Sequence, residues 1–475
     1  MAPAAPRPGR AEVVDGPGHG PRPAAREGFG PGLRRALRAR DGALLTIGAM
    51  VGTGIFLAAG DVARAVPHPA LVLGVWLAGG ALTLAGALAY AELGAMFPRA
   101  GGLYHFVREA WGPLPAFLYG WTCLLVIMTG GMAAIGVGFG EYLGALVPAF
   151  SSARVVFALG GWTVSGAQLA AAVAILVLTA VNHLGVREGT LVQNLFTVSK
   201  VAAIAALVVF GLAHGSGAAA PAPPAALALV APAVGVALVA ALWTYDGWYA
   251  LTFAAAEMRE PARDLPRALL TGVAVVTVLY VLMNVVYLRT LTVAELAGSA
   301  RPAEAAAAVL MGARGAAFVT LAVVISSFGC LAATTLYASR IYAPMADDGV
   351  FPRVFGRIDE RRRTPAAALW LQGAWAAALA LTGGYTSLFT YVTFGSLLFH
   401  LLGGLALFRL RATRPAAPRP YRAHGYPVVP ALFVGATLLL AGGTLASAPR
   451  QSLLGLLVIG TGLPAYAWWR RRPAR

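Results

Sequence analysis

Apolar stretches of about 20 residues follow one another almost without pause from residue 44 to residue 470, and this succession limits the chain to one kind of fold. Each stretch is long enough to cross the hydrocarbon core of a bilayer as a helix. They fall at about 44–66, 70–96, 114–147, 162–183, 190–213, 231–257, 266–292, 315–343, 364–383, 386–410, 427–447 and 451–470, twelve in all. With 59% of residues hydrophobic and only 12% charged, the chain lacks the polar surface of a water-soluble protein. An all-α integral membrane protein of twelve transmembrane helices is expected.

Two of these stretches are interrupted. The first contains Gly48-Ala49-Met50-Val51-Gly52-Thr53-Gly54-Ile55-Phe56 at its middle. Glycine weakens a helix and threonine competes for backbone hydrogen bonds, so a break is expected at residues 52–54. Backbone freed in this way survives inside lipid only where protein, water or a ligand satisfies it. The other reading of the same residues is close packing, because Gly48 and Gly52 form a G-x-x-x-G face. A second interruption, Tyr245-Asp246-Gly247-Trp248, stands at the middle of the sixth stretch. Five spans followed by five, each set opening with a broken helix, is the arrangement of transporters built from inverted repeats. The expected organisation is a disordered tail at 1–40, a first repeat at 41–213, a second at 231–411, and two added C-terminal helices at 427–470.

The net charge of +17 carries topology rather than nucleic-acid binding. If both termini share one side, 29 of the 35 arginines lie on that side and six on the other. By the positive-inside rule both termini are then cytoplasmic, with the basic excess available to membrane lipid. The two cysteines, Cys123 and Cys330, lie inside apolar stretches and imply neither disulfide nor metal. The spans contain no cluster of His, Glu and Asp with metal or catalytic spacing, so no enzyme, cofactor or metal is expected.

The one lysine of the chain, Lys200, sits within the fifth apolar stretch. An intramembrane cation usually faces a cavity or a partner, and lysine is a compact point charge where arginine is a planar fork. Snorkelling to the interface is the alternative. Glu92, at the inner end of span two, reads as a solvated helix end in preference to a gate partner. His183 reads as an interfacial residue. Ser326 and Ser327 form the polar patch of span eight.

Helix polarity then defines a site. Span one runs outward, so the N–H groups opening its outer half, at Thr53, Gly54 and Ile55, bring the positive end of a helix dipole to mid-membrane. The carbonyls ending its inner half near Met50, and those ending the outer half of span six near Trp243 and Asp246, suit a cation. Together they make a receptacle for a zwitterion such as an α-amino acid head group.

The span-one glycine motif resembles the signature of the amino acid, polyamine and organocation transporter superfamily. Four further stretches resemble its L-amino-acid transporter branch and bacterial relatives: Trp243-Thr244-Tyr245-Asp246-Gly247-Trp248, the turn at 257–266, Ala346-Asp347-Asp348-Gly349-Val350-Phe351-Pro352, and Tyr421-Arg422-Ala423-His424-Gly425-Tyr426-Pro427. The resemblance implies a sodium-independent secondary transporter of amino acids, working by exchange or proton coupling. It assigns the substrate carboxylate to Thr53 and Gly54, within a substrate-binding stretch that includes Gly52 and Ile55. It assigns the amino group to carbonyls of Met50, Trp243 and Asp246 beside Tyr245 and Gly247, with Trp243 as an aromatic lid. It also implies that Lys200 takes the place of a coupling ion, near Ser326 and Ser327. The region 147–154 has no cysteine, so the disulfide that ties animal members to an ancillary glycoprotein is not expected. Polyamine transport is the nearest rival, but a polycation would call for several intramembrane carboxylates and the spans offer mainly Asp246.

Overall fold

The computed structural model describes residues 35, 37–215, 227–362, 364–383 and 385–471. Most of the expected N-terminal tail and of the loop between the two repeats lies outside the described residues. Helices α1 (Ala39–Met50) and α2 (Gly54–Ala65) are the two halves of the first span, bent by 48° across the glycine motif. Then come α3 (Pro69–Met96), α4 (Leu103–Trp111), α5 (Pro113–Thr122) and α6 (Met128–Leu146). They are followed by α7 (Gly166–Leu184), α8 (Val186–His214) and α9 (Leu227–Tyr245). The one-turn α10 (Ala250–Phe253) precedes α11 (Pro261–Thr290), α12 (Val293–Gly298) and α13 (Pro302–Ala338). The chain closes with α14 (Tyr342–Asp347), α15 (Ala366–Ala380), α16 (Tyr385–Thr413), α17 (Val428–Ser447) and α18 (Pro449–Arg470).

Among the described residues nine helices are long and apolar enough to cross a membrane, ten when the bent pair α1 and α2 counts as one. Two shorter apolar helices, Pro232–Tyr245 and Ala366–Ala380, occupy the places of the expected sixth and ninth spans. Large aliphatic residues such as Val209, Val278 and Leu439 are exposed along these helices, as the lipid-facing side of a membrane bundle requires.

Four features depart from the sequence expectation. The chain is not purely helical, because Val155–Leu159 and Trp162–Ser165 pair as an antiparallel hairpin between α6 and α7. Gly160 and Gly161 both have positive φ there, +55° and +85°, which suits a tight hairpin turn between β-branched and aromatic runs. The third span contains a π-helical turn, Cys123–Ile127, joining α5 to α6. The inner half of span six is a single turn of α-helix followed by a 3-10 turn, Ala255–Glu257, and no long helix. Residues 103–111, between the expected second and third spans, form α4.

Glu92 corrects the reading of a solvated helix end. Its side chain is fully buried and accepts from Arg411 Nε at 2.9 Å and NH2 at 2.5 Å, and from the Ala423 amide at 2.7 Å. Arg419 Nε lies 3.3 Å from the same carboxylate. The carboxylate thus pins the loop before α17 and the end of α16 to α3. On the same arginine-rich side, Arg340 donates to buried Glu257 at 2.9 Å, and Leu37 exchanges backbone bonds with Glu257 and Arg259. Arg108 and the Tyr104 hydroxyl converge on Asp348 at 2.6 and 2.7 Å.

Candidate functional site

The end of α1 leaves the last four carbonyls of a helix, those of Gly48, Ala49, Met50 and Val51, without helical partners inside the bundle. Side chains from three other helices supply them. Lys200 on α8, 1% exposed, donates from Nζ to the Gly48 carbonyl at 2.7 Å and to the Val51 carbonyl at 2.5 Å. Ser326 on α13 reaches the Val51 carbonyl at 3.3 Å. Cys330, one turn further along α13, donates to the Ala49 carbonyl at 3.1 Å. The Tyr280 hydroxyl on α11 lies 2.8 Å from the Met50 carbonyl and 3.1 Å from the Thr244 carbonyl, so one proton serves the ends of both broken spans.

Lys200 therefore does not snorkel. Its partners are backbone carbonyls of the broken helix, with Ser326 sharing one of them. Ser327 is not part of this group, because its hydroxyl bonds back to Val323 in its own helix.

Opposite these carbonyls α2 opens at Gly54, with Thr53 preceding it and making no side-chain cap. The Phe56 amide returns to the Thr53 carbonyl at 3.1 Å, while the amides just before it have no carbonyl one helical turn back. The second broken span comes close to this end. A Cβ on Gly54 would lie 3.0 Å from the Thr244 backbone, which leaves room for hydrogen only. Gly247 has φ +90°, and a Cβ there would lie 2.8 Å from the Ala49 carbonyl oxygen. Glycine is required at 247 both for its left-handed backbone and for this approach.

Between the breaks lies a cavity of about 490 Å³ of free space, counted out to open solvent. Met50, Gly52, Thr53 and Gly54 line it from the first break, and Trp243, Asp246 and Gly247 from the second. Ile127 of the π-helical turn and Met128 at the start of α6 line it too, with Cys330 from the wall of α13. Two residues expected at the site are elsewhere. The Tyr245 ring packs on Trp76 and Tyr280, and its hydroxyl donates to the Trp76 carbonyl at 3.0 Å. Ile55 is buried away from the cavity, its carbonyl accepting from the Tyr287 hydroxyl at 3.3 Å.

Trp243 and Asp246 also wall a second cavity of about 570 Å³, again counted to open solvent, on the other side of α9. Thr83 of α3, Ser396 and His400 of α16, and Phe433 of α17 line it. The His400 ring makes a 3.1 Å bond from Nδ1 to the Tyr90 hydroxyl. Among the described residues Asp246 is the one carboxylate lining either cavity.

Tyr280 and Cys330 are the site residues that sequence reasoning missed. A polar hydroxyl at mid-depth of the apolar stretch 266–292 is the signal that points to Tyr280. Nothing distinguishes Cys330 from a small hydrophobe until Ala49 is seen beside it.

The sequence profile of the amino acid permease family matches residues 41–459. The serine/threonine exchanger SteT of Bacillus subtilis is 30% identical over 446 residues, covering 93% of this chain and 98% of its own length. The human b(0,+)-type amino acid transporter 1 is 33% identical over 442 residues, 91% of this chain and 88% of its own. The human large neutral amino acids transporter small subunit 2 is 30% identical over 456 residues, 94% and 83% of the two chains. A profile match across nearly the whole chain, over a helical bundle whose first span breaks beside a cavity, places the protein in the amino acid permease family.

Proposed function

We propose that this permease carries the α-amino acid head group between its two broken spans and moves it by alternating access, independently of sodium. The observation that carries this reading is the cavity itself. The amide end of α2 and the carbonyl ends of α1 and α9 meet there, an anion site beside a cation site. The carboxylate sits at the amides of Thr53 and Gly54. The amino group takes remaining lone pairs of carbonyls at the second break, where Trp243 forms the lid.

A polyamine would place a second or third ammonium against this wall, where Asp246 is the lone carboxylate. A single zwitterion is the better match to one amide end and one set of carbonyls. Asp246 adds a place for a basic side chain.

The finer architecture belongs to the same proposal. The two breaks, the nine long helices and the two short ones fit twelve spans in a five-plus-five inverted repeat with two added helices. Both termini lie in the cytoplasm and the protein resides in the plasma membrane, as a bacterial inner-membrane protein. Lys200 stands where a coupling ion would otherwise join the inner half of span one to span eight, and Ser326 shares its Val51 carbonyl. The ion pairs of Glu92, Glu257 and Asp348 close the cytoplasmic side. With no cysteine at 147–154, the chain works without a disulfide-linked ancillary subunit. Exchange is the favoured coupling mode, by analogy with SteT, whose name describes an exchanger.

Uptake of a labelled amino acid panel into proteoliposomes tests this reading, with and without internal amino acid, with and without a proton gradient, and in sodium or choline buffer. Uptake stimulated by internal amino acid and indifferent to sodium is expected. Sodium-dependent uptake, or uptake of diamines alone, would overturn it.

A further inference from the structure

A groove of about 680 Å³ of free space, counted to open solvent, lies between the first turns of α11 and the loop that precedes α17. Arg263, Pro266, Arg267, Leu270, Pro420 and Tyr421 line it. The two arginines are one helical turn apart and share a face of α11. Neither guanidinium is tied to another element among the described residues. Glu260 stands 3.5 Å from Arg263, with both side chains about two-thirds exposed, and Arg267 has no hydrogen-bond or ion-pair partner among the described residues.

What separates this pair from ordinary solvated arginines is where their face leads. Continuing along α11 at helical spacing it presents Thr271, Ala274, Val275 and Val278, all exposed, with Val278 at 57%. α11 is one of the helices long and apolar enough to span the membrane, so this stripe faces lipid. Two guanidinium groups over an apolar floor of Pro266 and Leu270 stand at the end of a hydrocarbon-facing stripe. A guanidinium pair grips a phosphate in a fork geometry, and the acyl chains of the same molecule follow Val275 and Val278. The groove also lies on the side that holds 29 of 35 arginines, where anionic lipid gathers.

We propose that this groove binds the phosphate head group of an anionic phospholipid from the leaflet on the arginine-rich side. The bound lipid bridges α11 to the loop held by Glu92. α11 packs on α1 so closely that a Cβ on Gly272 would lie 2.8 Å from the Thr46 side chain. Lipid at this place therefore braces the closure of the arginine-rich side against the inner half of span one. The inference is independent of which substrate the permease carries.

Native mass spectrometry of the full-length detergent-purified chain, titrated with phosphatidylglycerol or phosphatidylcholine, tests it. Wild type should hold the first phosphatidylglycerol roughly tenfold more tightly than phosphatidylcholine, as two arginines near a membrane surface allow. The double variant Arg263→Gln/Arg267→Gln should lose that preference, and Arg263→Lys/Arg267→Lys should keep part of it. Excess glycerophosphate, which has the head group without the chains, should not displace the lipid from wild type. A glutamine variant that keeps the preference would overturn the proposal. So would displacement by glycerophosphate, which would mark a soluble-phosphate site instead. Should the glutamine variant fail to fold, the lysine variant and the wild-type competition still decide.

Discussion

Lys200 is held by two carbonyl oxygens at 2.7 and 2.5 Å and, among the described residues, by no carboxylate. That arrangement fits a compact ammonium and leaves no place for the flat fork of a guanidinium. Lys200→Ala should abolish or strongly slow translocation while leaving outside binding of substrate largely intact, because the ammonium does not line the cavity. Lys200→Arg should rescue poorly, and wild-type uptake should be the same in sodium and in choline. A fully active arginine variant would remove Lys200 from the coupling role. Tyr280 is the second residue on which the break depends. Tyr280→Phe strips the hydroxyl shared by the Met50 and Thr244 carbonyls, leaving Met50 only the Gly52 amide at 3.0 Å, at a cost of about 1–3 kcal/mol, read as a lower thermal-unfolding midpoint. Trp243→Ala should slow transport far more than Trp243→Phe, since phenylalanine keeps an aromatic surface over the cavity. At this scale legibility followed rarity. Lys200 stood out as the one lysine among 36 basic residues, whereas Tyr280 is one of 15 tyrosines and reads as core aromatic until its hydroxyl is seen between two helix ends.

At the scale of elements the two breaks organise everything near the cavity. Gly247→Ala must place a side chain at φ +90° and 2.8 Å from a carbonyl oxygen, so it should cost about 1–2 kcal/mol in backbone strain alone and push the two broken spans apart. Loss of substrate binding together with a lower unfolding midpoint is the expected result. Both breaks were readable because glycine inside an apolar run has few other uses. The π-helical turn Cys123–Ile127 was not, since nothing in Cys-Leu-Leu-Val-Ile separates a π turn from an α turn. Yet it sets Ile127 and Met128 on the cavity wall. The hairpin was readable in principle from Gly160-Gly161 between Val-, Phe- and Trp-rich runs, but counting apolar spans treats the connection between spans as loop. The side chains of Tyr245 and Ile55 are absent from the cavity wall for a geometric reason. Each is adjacent in sequence to a cavity residue, and rotation by one residue of helix turns it about 100° onto another face.

Across the whole molecule, the arginine-rich side is tied by buried or half-buried ion pairs that link elements far apart in sequence. Glu92 is the most connected of them, and a local reading could not place it, because its partners Arg411, Arg419 and the Ala423 amide lie more than 300 residues away. Glu92→Ala leaves two guanidinium groups without their carboxylate. The cost should be about 3 kcal/mol, the lower end for a broken buried pair because Arg411 keeps some contact with solvent. If the pair holds the arginine-rich side closed, the variant should also label faster with a membrane-impermeant thiol reagent at a cysteine placed between the cavity and that side. Unchanged labelling would separate Glu92 from closure. A helical bundle of many membrane-crossing segments was legible from apolar length alone, and the direction of closure was not.

The account stands on a zwitterion lying across two broken helices, and competition by head-group analogues tests that most directly. In proteoliposomes, uptake of a labelled amino acid that the permease accepts should be inhibited by the unlabelled parent. It should be inhibited about tenfold or more weakly by the amide and by the decarboxylated amine of the same side chain. Each analogue loses a charge-assisted hydrogen bond worth roughly 1.5–3 kcal/mol at the α2 amides. Equal competition by the amine would mean that the carboxylate is not held at Thr53 and Gly54, and the account would fail at its centre.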